Sequence, residues 1–178
     1  MKKQVFWGLI LAMTVSFAAE ARPTTSGKSG RVHTSQGAAR GHNGSVTGAQ
    51  GSTVQGAGGR VVVPGKGTAR AGAHQATGKN GGTAQAQGAS VRTKQGGFHQ
   101  NSGSWNGKNS TGSANSSGSW KAGQGGQSAT SVEATSKKTG QTYSADGQTE
   151  YHPETGGSTT VTGGNGTTKT VTYPAKTP

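Results

Sequence analysis

The chain has no cysteine. That excludes a disulfide framework, a thiolate metal site and a lipid-modified cysteine at the N-terminus. Beyond residue 21 it also has no Leu, no Ile and no Met. The large apolar side chains of residues 22–178 are ten Val, one Phe, two Trp and three Tyr. Leu, Ile, Val and Phe together make eleven of 157 residues, far below the level of about 20% under which chains do not build a core. A third absence is acid. From Arg22 to Val132 there are twelve Lys and Arg and not one Asp or Glu.

What remains is Gly, Ser, Thr, Gln, Asn and Ala, a composition associated with flexible, low-complexity chains. It predicts a mostly disordered low-complexity chain, with a short β-meander-like region near the C-terminus. The alternative architecture is an irregular β-solenoid or an amyloid-like assembly.

Three segments follow from composition. Residues 1–21, MKKQVFWGLILAMTVSFAAEA, have Lys2 and Lys3, an apolar run from Val5 to Phe17, and Ala19-Glu20-Ala21 at the end. This is the pattern of a bacterial secretory signal peptide, with an apolar run too short to span a bilayer core of about 30 Å. It predicts a secreted or periplasmic product. Residues 22–132 form the basic, Gly-rich segment. Residues 133–178 balance four Lys against four acids and are rich in Thr. Four of the five His (His33, His42, His74 and His99) lie in the basic segment and add to its positive charge when protonated.

The basic segment carries imperfect repeats. Residues 44–54, GSVTGAQGSTV, match residues 81–91, GGTAQAQGASV, at five of eleven positions, and SGSW recurs at 102–105 and 117–120. The offsets of 37 and 15 share no single period. In the tail, the runs ATSVEAT, QTYSA, QTEYH, STTVT and TKTVTY are separated by KKTG, DG, PETGG and GGNG. Strand-forming residues at this spacing predict short strands, and Asp146-Gly147 reads as a hairpin turn. The tail is expected to self-associate or to dock on a partner's sheet edge.

No constellation for catalysis stands out. In VVVPGKGTAR (61–70), Arg60 occupies the place of the first Gly of a phosphate loop and Gly67 the place of its Ser or Thr, so the segment reads as a strand entering a Pro-Gly turn. The His residues show no metal-ligand spacing, and Pro153 between His152 and Glu154 marks a turn. The reading is of a non-enzymatic protein with no cofactor and no metal.

Charge and aromatics carry the functional expectation. Arg22, Lys28, Arg31, Arg40, Arg60, Lys66, Arg70, Lys79, Arg92, Lys94, Lys108 and Lys121 form a polyanion-binding set. In an extended chain they are dispersed along the backbone, contacting DNA, lipopolysaccharide or acidic polysaccharide weakly and collectively. Phe98, Trp105 and Trp120 are read as exposed stacking residues for a base or a sugar ring. The mature segment has no amphipathic apolar stripe, so stable membrane insertion is not expected.

The Gln-Gly runs STVQGAGG (52–59) and AGQGGQSA (122–129) resemble fragments of curlin-type amyloid repeats. The string Gln-x-Gly-x-Gly-Asn that marks those repeats is absent. The resemblance implies β-stacked assembly outside the cell. The composition thus suggests a secreted, non-enzymatic bacterial surface or matrix protein that tethers polyanions, with a functional amyloid or fibre subunit, or a secreted cationic toxin or antimicrobial, as alternatives.

Overall fold

The computed structural model describes residues 24–34, 37–48 and 50–175. The signal-peptide pattern and Arg22 lie outside them. Eleven strands follow in chain order: β1 (Thr24–Thr34), β2 (Gly37–Thr47), β3 (Thr53–Val63), β4 (Gly67–Thr77), β5 (Thr83–Arg92) and β6 (Gly96–Asn106) come first. The second half adds β7 (Ser110–Lys121), β8 (Gly125–Ser136), β9 (Thr142–His152), β10 (Gly156–Gly163) and β11 (Thr168–Tyr173). Each pairs antiparallel with the next, giving one meander sheet in the order β1 to β11.

The expectation of a mostly disordered chain is therefore overturned. Its premise was correct, since no apolar side chain among the described residues is buried. The inference failed because it counted only side-chain burial. Here the order lies in the backbone, where every strand from β2 to β10 pairs on both sides. The register runs without interruption through each pair. The meander also extends far beyond the tail: eight of the eleven strands begin before residue 133.

Turns set the strand lengths. Pro64-Gly65-Lys66 closes β3 onto β4, with Gly65 at φ +74° and Lys66 N–H donating to Val63 O at 3.1 Å. The β4–β5 turn uses Gly81 at φ +78°, a region that suits glycine. The β5–β6 turn lacks glycine; there Thr93 Oγ1 accepts from the Gln95 and Gly96 amides at 3.2 and 3.1 Å. The turns expected at KKTG, PETGG and GGNG are present. The hairpin at Asp146-Gly147 is not. Both residues lie inside β9, paired with Thr162 and Val161 of β10. The flanking turns already fix an eleven-residue β9, so QTYSA and QTEYH form one strand.

The two strands of each hairpin and their turns make a unit close to thirty residues. Arg31 and Arg60, on β1 and β3, sit 29 apart, and Arg40 and Arg70, on β2 and β4, sit 30 apart. The 37-residue offset has no structural counterpart. The SGSW offset of 15 places its two copies on the antiparallel neighbours β6 and β7.

Residues that face each other across a ladder share a face, and faces alternate along each strand. One face has a row Ser45, Gln55, Gln75, Gln85, Ser104 and Ser113 on successive strands. A parallel row on the same face, nearer the edge, runs Thr47, Thr53, Thr77, Thr83, Asn106, Thr111, Thr135 and Thr142. A groove of about 1080 Å³ runs along this glutamine face from Ser26 to Asn115.

Far-UV circular dichroism of the purified chain should show β-sheet rather than coil. Amide exchange should be slowest in β4–β8 and fastest in β1 and β11, which among the described residues pair on one side only. A uniform, coil-like exchange rate would contradict the sheet.

Candidate polyanion interface

The opposite face collects the arginines. Arg31 pairs with Arg40, Arg40 with Arg60, and Arg60 with Arg70. Four guanidinium-bearing residues thus stand directly opposite one another on β1–β4, at the inter-strand spacing of about 4.7–4.9 Å. The row continues through Ser90 to His99. Arg92 stands on the same face, one row nearer the edge, opposite Thr68. All five are exposed. The expectation of a dispersed cationic strand is corrected here, because folding gathers residues 39 positions apart in sequence onto four adjacent strands.

Strand alternation also sorts the acids. Glu133 faces Ser113, Asp146 faces Ser131, and Glu150 faces Gln127, all on the glutamine face. Glu154 lies in the β9–β10 turn. Among the described residues the arginine face carries Arg31, Arg40, Arg60, Arg70, Arg92 and Lys169 and no carboxylate. The ion pair present among the described residues joins His152 Nε2 to Glu150 Oε1 at 3.2 Å, and neither belongs to that face. Like charges directly opposite one another destabilise a ladder, so the row carries a cost that a bound anion would offset.

The lysines of the predicted set go elsewhere. Lys28 and Lys121 are on the glutamine face. Lys66, Lys79, Lys94 and Lys108 lie in turns. Lys79 Nζ donates to Gln50 Oε1 at 2.7 Å, tying two turns of one edge together. Lys137, outside the predicted set, donates to Asn106 Oδ1 at 2.6 Å and ties the β8–β9 turn to the end of β6.

The three predicted stacking residues do not converge. Phe98 is half exposed on the glutamine face, in a row with Val61, Ala69 and Val91. Trp105 and Trp120 are on the arginine face but at its two edges. Each indole meets a glycine of the neighbouring strand. A methyl group on Gly112 would collide with the Trp105 ring, and one on Gly97 would stand 2.7 Å from Trp120 Nε1. Trp105 Nε1 also donates to Ser110 Oγ at 3.3 Å. Trp120 remains 39% exposed, and the Arg92 guanidinium lies 5.9 Å from its ring centroid, reaching across Gly97. Trp105 is thus partly packed, whereas Trp120 keeps an accessible surface.

The arginine row had a signal that linear reading missed. Its intervals, 9, 20 and 10, alternate short and long because successive strands run in opposite directions around alternating turns. Searching for Arg at mirror-related positions about each turn would have found it. His42, over Gly58, and His99, over Gly118, share the same face and were not part of the predicted set.

Among the described residues no group of His, Asp and Glu is arranged to hold a metal ion. Comparison with protein-family models, curated proteins and solved structures returns no match.

Replacing Gly112 by Val should push the Trp105 ring off the sheet. The expected cost is about 1–3 kcal/mol, typical of overpacking, with a red-shifted tryptophan emission. An unchanged spectrum and unchanged stability would show that the indole does not rest on Gly112.

Proposed function

We propose that the protein is a non-enzymatic polyanion-binding protein of the bacterial periplasm or cell exterior, and that its binding surface is the arginine face. The observation that carries this reading is the in-register row Arg31–Arg40–Arg60–Arg70 on a face without a carboxylate among the described residues. The location rests on the residue 1–21 pattern alone. Focused positive charge raises the local concentration of anions and speeds their association. Binding then proceeds by counterion release and weakens with salt. The exposed side of Trp120 and its neighbour Arg92 supply a stacking surface beside the charge.

The R40Q/R60Q/R70Q variant should bind short duplex DNA, used as a generic polyanion, much more weakly. Its logarithmic salt slope should fall by about 0.9 for each phosphate that the variant no longer neutralises. Removing three turn lysines instead, K66Q/K94Q/K108Q, should change binding far less. Equal weakening in the two triple variants would mean that overall charge, not the row, governs binding.

The fibre reading is favoured by a separate observation: among the described residues, β1 and β11 each have a sheet neighbour on one side only. Eleven is an odd number, so β1 and β11 run in the same direction. Copies related by translation would meet in parallel pairing, whereas a two-fold axis normal to the sheet would join β11 to β11 antiparallel. Sedimentation across a range of concentrations distinguishes a monomer, a closed dimer and an open polymer. Replacing Val171 by Pro should abolish any dimer made through β11.

A further inference from the structure

We infer that the apolar side of β8–β11 is an interface between two copies of this chain, packed face to face in two layers about a two-fold axis parallel to the strands. The surface is separate from the arginine row and does not rest on the polyanion reading.

Side-chain parity is the first argument. The row that begins at Arg31 continues past Arg70, Ser90 and His99 and ends at Val171, so β8–β11 extend the arginine face. Every Val and Tyr of these four strands stands on that face: Val132, Tyr143, Tyr151, Val161, Val171 and Tyr173. Their other face carries Glu133, Asp146 and Glu150 among Ser, Thr and Gln. An antiparallel sheet with one side packed and one solvated shows this alternation. The earlier strands do not show it. Val46, Val54 and Val62 lie on one face, and Val32, Val61, Val63 and Val91 on the other. Yet nothing among the described residues covers the sorted side, where Tyr143, Val171 and Tyr173 remain 58%, 49% and 44% exposed.

The chain itself has little to lay over this side. Besides residues 1–21, read as a leader that is removed, only residues 22, 23, 35, 36, 49 and 176–178 lie outside the description, and none has a large apolar side chain. A second copy supplies a matching layer, because sheets pack face to face about 10 Å apart with strands nearly aligned. Strands β8–β11 have 12, 11, 8 and 6 residues. At about 3.4 Å per residue and about 4.8 Å between strands they present about 600 Å². Two copies together cover about 1,200 Å², the lower end of what a specific interface buries. Interface centres are rich in Tyr and poor in Asp and Glu, and this side has three Tyr and no carboxylate. Covering it also strands few polar atoms. Tyr173 Oη donates to Thr159 Oγ1 at 3.1 Å and Tyr143 Oη to Gln141 Oε1 at 2.7 Å.

Charge selects the arrangement. A two-fold axis lying across the strands would set each strand over its own copy, and the row Arg31–Arg40–Arg60–Arg70 against itself with no carboxylate on that face to offset it. An axis parallel to the strands, between β9 and β10, sets β8 over β11 of the other copy and β9 over its β10. The β10–β11 turn then meets the overhanging ends of the longer β8 and β9. The arginine halves project to opposite sides, uncovered. Among the described residues the packed side has one cation, Lys169, on the rim strand β11. Its two copies stand three strand spacings apart, about 14 Å, beyond a Debye length of about 8 Å.

Sedimentation equilibrium of the purified chain at rising concentration should show monomer and dimer exchanging in the micromolar range. The V161K variant places an ammonium at the centre of the interface twice per dimer and should weaken association about a hundredfold. Q148K adds the same charge to the opposite face of the neighbouring strand and should leave association unchanged. V171K gives the same readout if circular dichroism shows that V161K loses the sheet. A nitroxide on A86C, exposed on β5, reports the arrangement. Nine strand spacings then separate the two labels, roughly 45 Å, against roughly 60 Å for pairing through β11 edges and roughly 20 Å for an axis across the strands. Either of the last two distances would overturn the proposal, as would equal weakening by V161K and Q148K. A monomer at every concentration would also overturn it. In that monomer a T159C thiol that resists a soluble reagent would put another segment of this chain over the face, and a reactive one would leave the face bare. The R40Q/R60Q/R70Q variant should dimerise at least as well as wild type, so failure of the polyanion reading and failure of the dimer are separate results.

Discussion

The whole structure depends on an uninterrupted antiparallel backbone ladder. With no buried apolar side chain among the described residues, the hydrogen bonds between strands and the side-chain pairs across them are what hold the sheet. Cross-strand Thr pairs contribute modestly, about 0.2–1 kcal/mol each, and several are directly bonded. Thr135 Oγ1 is 2.9 Å from Thr142 Oγ1, and Thr149 Oγ1 is 2.8 Å from Thr159 Oγ1. Register matters more here than in a sheet with a core. A slip of one residue would move every side chain of a strand to the other face. The turns prevent this, because their lengths fix which residues meet.

Register is also what sorts the charge. Arginines fall on one face and the strand carboxylates on the other because of their parity along each strand, not because of distance in sequence. A row of like charges weakens its own ladder. An anion that binds the folded row and not the unfolded chain therefore stabilises the sheet by mass action. Folding and occupancy by such an anion would then be coupled without any moving part.

Glycine has a different role from the one its abundance suggests. Composition associates it with flexibility. In the sheet it provides flat places: Gly112 under Trp105, Gly97 beside Trp120, Gly58 under His42 and Gly118 under His99. Rings laid over glycines cover backbone that has no side chain of its own, the pairing used to rescue glycine in strands.

Several features were legible in the amino-acid sequence alone: the lack of a core, the acid-free stretch, the turns at PGK, KKTG, PETGG and GGNG, and the strands of the tail. All are local, set by side-chain chemistry and by a few adjacent dihedral angles. The strands of the basic half were not legible, because Gly, Ala and Gln are weak strand formers and only pairing with neighbours orders them. The Asp146-Gly147 turn was misread for the same reason, since the partner strand β10 decides that β9 continues. The arginine row belongs wholly to tertiary structure. Antiparallel pairing joins positions by the sum of their residue numbers about a turn, so intervals of 9, 20 and 10 become equal steps between strands only once the sheet exists.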